Sequence, residues 1–122
     1  MGKRVAIQEL PPTRLTLVLA DARPSDAIEI EPGQWLVDGE AAGIDMSDAY
    51  AGFAVTGPGA ADLLARGMAL DLERLTPDFA GRAKLGEIAV LLDRVAGGWR
   101  LRCERSYAEW LGAWLNSSTG DT

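Results

Sequence analysis

The stretch RSYAEWLGAWLNSS, residues 105–118, constrains the fold more than any other part of the chain. Tyr107, Trp110, Leu111, Trp114 and Leu115 recur at i, i+3, i+4, i+7 and i+8, the spacing of one broad apolar face on an α-helix. Ser106, followed three residues later by Glu109, predicts a capping box in which each side chain satisfies a free amide of the first turn. The pattern predicts a helix over 106–116. At about 25 cal/mol per Å² such aromatic side chains contribute several kcal/mol of gross burial, offset by ordering entropy, so the face needs a surface to lie on. Trp110 is expected in the core, and Trp114, one turn nearer the polar end, is expected to be shared between the core and a partner.

The rest of the chain supplies that surface as strands. In RLTLVLA, residues 14–20, Leu15, Leu17 and Leu19 alternate with mildly polar or small neighbours, as in an inner strand covered on both faces. IEIEPGQWLVDG, residues 28–39, reads as two short strands around Pro32-Gly33, with Ile28 and Ile30 on one face, Glu29 and Glu31 toward solvent, and Trp35 and Val37 offering a partner face. EAAGIDMSDAY reads as a loop with at most one helical turn. AGFAVTG is a further strand, and GEIAVLLDRVAGGWRLRC a hairpin turning near Gly97-Gly98. In its second strand Trp99, Leu101 and Cys103 share one side. Arg100 and Arg102 share the other, as a solvated face or as a docking strip for an acidic partner. Pro11 and Pro12 exclude a regular ladder or helix interior around them, so residues 1–12 are expected to form a flexible arm, 13–116 a single domain and 117–122 a polar tail. The fold class is α+β: an antiparallel or mixed sheet of four to six strands with two principal helices, 58–66 and 106–116, packed on one face.

The first of those helices follows FAVTGPGAADLLARG, residues 53–67. Pro58 suits a first helical turn, Asp62 suits the positive end, and Ala60, Leu63, Leu64 and Met68 keep helical spacing until Gly67 and its surroundings end the helix. Gly57 and Pro58 therefore have a structural explanation as a strand-to-helix turn. Anion contact at the free amides is the other reading, but the spacings of a phosphate loop and of a dinucleotide fingerprint are both lacking.

Composition narrows the chemistry. The 122 residues carry 18 acidic and 12 basic side chains, and a formal charge of −6 argues against the basic surface that nucleic-acid binding needs. With no histidine and one cysteine, the chain offers no histidine-based catalytic triad, no Cys/His zinc site and no internal disulfide. Cys103 is expected in the core. Asp45 and Asp48 could act as a carboxylate pair or hold a hard cation, though turn and cap roles explain them more simply, and Asp71, Glu73 and Asp78 read as a solvated acidic stretch. No segment reads as a secretory signal or a membrane span, and a cytoplasmic protein is the expectation.

The order of these features resembles a known family. The run DMSDAYAGFAVTGPGAADLLARGMALDLERLTPDFAGRAKLGEIAVLLDRV, together with RSYAEWLGAWL, resembles the gamma subunit of heterotetrameric sarcosine oxidase, and more distantly a half-domain of the folate-dependent aminomethyltransferase superfamily. The resemblance rests on Asp45, Ser47-Asp48, Gly57-Pro58, Leu63-Leu64 with Gly67, Asp71-Leu72 and Arg105-Ser106-Tyr107. Tyr50 stands where members usually have a basic residue, and Ala83-Lys84 where a Gln-Thr pair is common. What the resemblance implies is a non-catalytic accessory subunit of a flavoenzyme that oxidises N-methyl amino acids. It implies no cofactor on this chain alone, with flavin, NAD and folate belonging to larger partner subunits. The interface or structural residues to expect are Trp35, Gly57, Pro58, Arg100, Arg102, Ser106, Tyr107, Trp110 and Trp114. Two other readings stand beside it. One is a self-associating homodimeric module; the other is a folate-binding, aminomethyltransferase-like protein using Asp45, Asp48, Trp35 and Tyr50.

Overall fold

A computed structural model describes residues 4–119. The chain runs through β1 (Ala6–Glu9), β2 (Leu15–Leu19), β3 (Ile28–Glu31), β4 (Gln34–Asp38), β5 (Ile44–Asp45), β6 (Tyr50–Thr56), α1 (Ala60–Ala65), β7 (Ala80–Leu85), β8 (Ile88–Val95), β9 (Gly98–Glu104) and α2 (Ala108–Thr119). Short 3-10 turns cover Leu72–Arg74 and Arg105–Tyr107. The strands make two antiparallel sheets, one in the order β1-β6-β9-β8-β7 and the other β3-β4-β2-β5.

The α+β class with two helices on one face is as expected, but the sheet is not single. The strand period of two explains why two layers are needed. Along β6, Ala51, Phe53 and Val55 join Trp99, Leu101 and Cys103 of β9 and Ile88, Val90 and Leu92 of β8 in one large core. That core lies under the helices, with Leu63 and Leu64 of α1 and Leu111 and Leu115 of α2 buried in it. The opposite face carries Leu91, which packs with Leu15, Ile28 and Leu36 in a second core where the smaller sheet covers the larger one.

β1 corrects the expectation of a loose arm over 1–12. Ala6–Glu9 pairs with Thr56–Phe53 of β6, and the Leu10 amide donates to Gly52 O at 2.9 Å, so the strand ends just before the prolines. Pro11 and Pro12 bar a ladder only at their own positions. Residues 1–3 and 120–122 lie outside the described residues. The sequence carries no clear strand signal at β7, where alternation is masked by Gly81 and the charged Arg82 and Lys84, yet it pairs with β8 from Ala80 to Leu85. β2 is an inner strand of its sheet as expected. Its two-sided cover stops early, because Thr16 is buried with its hydroxyl donating to Gly39 O, while Leu19 is 69% exposed. Across the Pro32-Gly33 turn Ile28 faces Leu36, and Trp35 faces Glu29, so the partner face is Leu36's.

The turn after β6 is structural. Gly57 has φ +104°, and a Cβ there would sit 2.7 Å from Arg4 O, so both conformation and space call for glycine. Pro58 lies in the turn and α1 starts two residues later, with its Gly59 amide bonded to Arg4 O at 2.9 Å. The Gly59 and Ala60 amides are thus bonded within the chain.

Candidate functional site

Arg100 and Arg102 share the face of the large sheet that the small sheet covers, so Arg102 is buried between the layers and Arg100 is partly buried there. This corrects the reading of the pair as a solvated face: alternation places two residues on one side but does not say whether that side is covered. Arg100 donates from Nε to Asp93 Oδ1 at 3.0 Å and from Nη2 to Asp93 Oδ2, the forked geometry that suits guanidinium and carboxylate. Its Nη1 reaches Asp38 Oδ2 at 3.3 Å, and Arg102 Nη2 reaches the same oxygen at 3.3 Å. Asp93 comes from β8, directly opposite Arg100 in the register, and Asp38 from the end of β4, so the network bolts one sheet to the other.

The two arginines differ in how well they are matched. Burial works against the Arg100 charge, but the Asp93 carboxylate outweighs it and holds the guanidinium more firmly protonated than usual. For Arg102, burial and then the neighbouring Arg100 charge push the pKa down, and the Asp93 and Asp38 carboxylates only partly offset them. Arg102 is 4% exposed. Neither Asp38 nor Asp93 was singled out in the sequence, since a lone aspartate at a strand end carries no signal of the layer it will face.

Arg105, at the entrance to α2, donates to Asp48 O at 2.8 Å and to Tyr50 O at 2.9 Å. With Arg100 and Arg102 it lines a cavity of about 300 Å³ whose other walls include Leu10, Pro11 and Tyr50. Asp45 accepts from the Ser47 amide at 2.9 Å and from its hydroxyl at 2.6 Å, which together hold its carboxyl below the usual range. Ser47 Oγ in turn accepts from the Leu15 amide at 3.0 Å. This is the turn role expected for Asp45. Among the described residues no group of three or more His, Cys, Asp or Glu side chains is placed to hold a metal ion. Cys103 is buried and free, with its thiol pKa pushed up by burial.

The terminal helix divides its aromatic residues differently from the expected stripe. Arg105–Tyr107 form a 3-10 turn, so helical phase begins only at Ala108, and among the described side chains of α2 Leu111 and Leu115 are the fully buried ones. Gly112 brings the helix close to the Phe53 ring. Trp110 is 42% and Tyr107 44% exposed, which corrects the core position expected for Trp110. Trp114 is partly buried against Gly67, where a Cβ would come within 2.8 Å of its ring. Ser106 lies exposed inside the 3-10 turn rather than ahead of the helix, so the capping box does not form. Trp35 is buried, with its indole N–H donating to Ala20 O at 2.9 Å. The expected site residues thus separate into Arg100 and Arg102 between the sheets, Tyr107 and Trp110 on the surface, and Trp35, Gly57, Pro58 and Trp114 in packing or turn positions.

No protein-family model matches the sequence, and no curated protein does. Among solved structures, the heterotetrameric sarcosine oxidase from Corynebacterium sp. U-96, in complex with pyrrole 2-carboxylate, contains a similar chain. The superposition has a TM-score of 0.83 at 18% identity and covers 96% of this chain and 84% of that one. The two chains therefore share a fold over nearly their whole lengths.

Proposed function

We propose that this chain is a non-catalytic accessory subunit, of the gamma type, in a heteromeric sarcosine oxidase-like flavoenzyme acting on N-methyl amino acids. The observation that carries the reading is the near-full-length likeness to a chain of comparable length in a heterotetrameric sarcosine oxidase. The interior chemistry is consistent with it: the best-organised polar groups, Arg100, Asp93, Asp38 and Arg102, are spent on joining two sheets. Flavin, NAD and folate then belong to larger subunits, and the complex works in the cytoplasm. Tyr107 and Trp110, both more than 40% exposed at the start of α2, are the aromatic anchors through which this chain meets a larger subunit.

Purified alone, the chain should show no flavin absorbance and no turnover of sarcosine, since the electron-transferring groups lie elsewhere. Stoichiometric flavin and turnover in the isolated chain, measured by absorbance and formaldehyde release, would overturn the accessory role.

A further inference from the structure

The cavity between the Leu10–Thr13 segment and β9 gathers three arginines in one place. The protein carries a formal charge of −6, yet Arg100, Arg102 and Arg105 all line this one cavity against a single lining carboxylate, Glu9. Asp38 and Asp93 are not among the lining residues. Arg100 is committed to Asp93 and Asp38. Arg102 is less fully matched: a guanidinium has five N–H donors, and its carboxylate partner, Asp38 Oδ2 at 3.3 Å, is shared with Arg100. Arg105 is held by the Asp48 and Tyr50 carbonyl oxygens, which fix its direction and leave its charge uncancelled. Two positioned cations thus meet in one cavity, one of them on a side chain only 4% exposed.

We propose that this cavity binds a small organic carboxylate, with the carboxylate on Arg102 and Arg105 and the apolar body against Leu10, Pro11 and Tyr50. Guanidinium groups recognise carboxylates through paired, charge-assisted hydrogen bonds. The apolar part of the wall selects an organic acid over a bare inorganic anion. At about 300 Å³ the cavity lies at the small end of ligand sites, which sets the size at a compact acid rather than a nucleotide or a long chain. Burial and the Arg100 charge both work against the Arg102 charge, and an arriving carboxylate relieves that opposition. The inference stands apart from the accessory-subunit reading, because it needs only this chain.

The test is a titration of the ¹⁵N-labelled full chain with sodium benzoate, with benzamide as the neutral isostere and inorganic phosphate as the bare anion. Benzoate is expected to shift the Arg102 and Arg105 Nε–H resonances and the Tyr50 and Gly52 amides saturably, while benzamide leaves them in place. Arg105→Gln, checked for an otherwise unchanged spectrum, should weaken benzoate by about tenfold or more, the loss expected for one hydrogen bond to a charged group. The proposal is overturned if benzoate gives no saturable shift, if benzamide acts equally well, if phosphate alone binds, or if the shifts fall elsewhere. A wild-type titration decides among these outcomes even where the Arg105 variant does not fold.

Discussion

Leu111→Ala should destabilise the isolated domain by about 3 kcal/mol, within the range for emptying a fully buried leucine site, while Trp110→Ala one residue earlier should cost less than about 1 kcal/mol. Leu111 is 0% exposed at the centre of the helix-to-sheet core, so its truncation loses transfer energy and leaves a cavity against rigid strands. Trp110 is 42% exposed and rests over Gly86, whose φ of +59° keeps that turn free of a side chain. Its truncation exposes little that the core must hide. Urea denaturation of both variants measures the pair, and equal losses would mean that α2 is seated a residue out of phase from the arrangement described here.

Asp93→Ala should cost about 3 kcal/mol, comparable to Leu111→Ala, because it strands a charge rather than opening a void. Without Asp93, Arg100 and the buried Arg102 share the single carboxylate of Asp38, leaving an excess positive charge between the sheets. The paired replacement Asp93→Leu with Arg100→Met should recover most of the loss, since a well-packed apolar pair often matches a buried ion pair. A double replacement as unstable as the single one would show that the network contributes net stability beyond cancelling its own charges.

What the sequence conveyed follows the two periods of side-chain direction. Period two correctly grouped Trp99, Leu101 and Cys103 on one side of a strand and Arg100 and Arg102 on the other. It was silent on what lies over the second side, because the covering sheet comes from residues 15–45 and its docking is a long-range event. Hence the arginines read as exposed, and Asp38 and Asp93 as unremarkable. Helical period located α2 but misjudged its phase. The 3-10 turn at Arg105–Tyr107 resets the register, so a leucine pair rather than the larger tryptophans is fully buried in the core, with Gly112 against the Phe53 ring. β1 and β7 were obscured by local composition, prolines next to one and charged residues within the other, where pairing with a neighbouring strand overrides weak propensity. Of the cavity, Tyr50, Arg100, Arg102 and Arg105 were each visible as residues; their convergence required the fold.

The accessory role is tested most directly by affinity capture of the tagged chain from the cells that make it, followed by size determination, polypeptide identification and an absorbance spectrum. The account predicts larger polypeptides in fixed proportion to this chain, carrying flavin and turning over an N-methyl amino acid. It also predicts that Trp110→Ala weakens their retention by about 2 kcal/mol, as for an aromatic anchor, with little change in the fold of the isolated domain. Recovery of the chain alone or as a homodimer, without flavin and with the Trp110 variant indistinguishable from wild type, would contradict it.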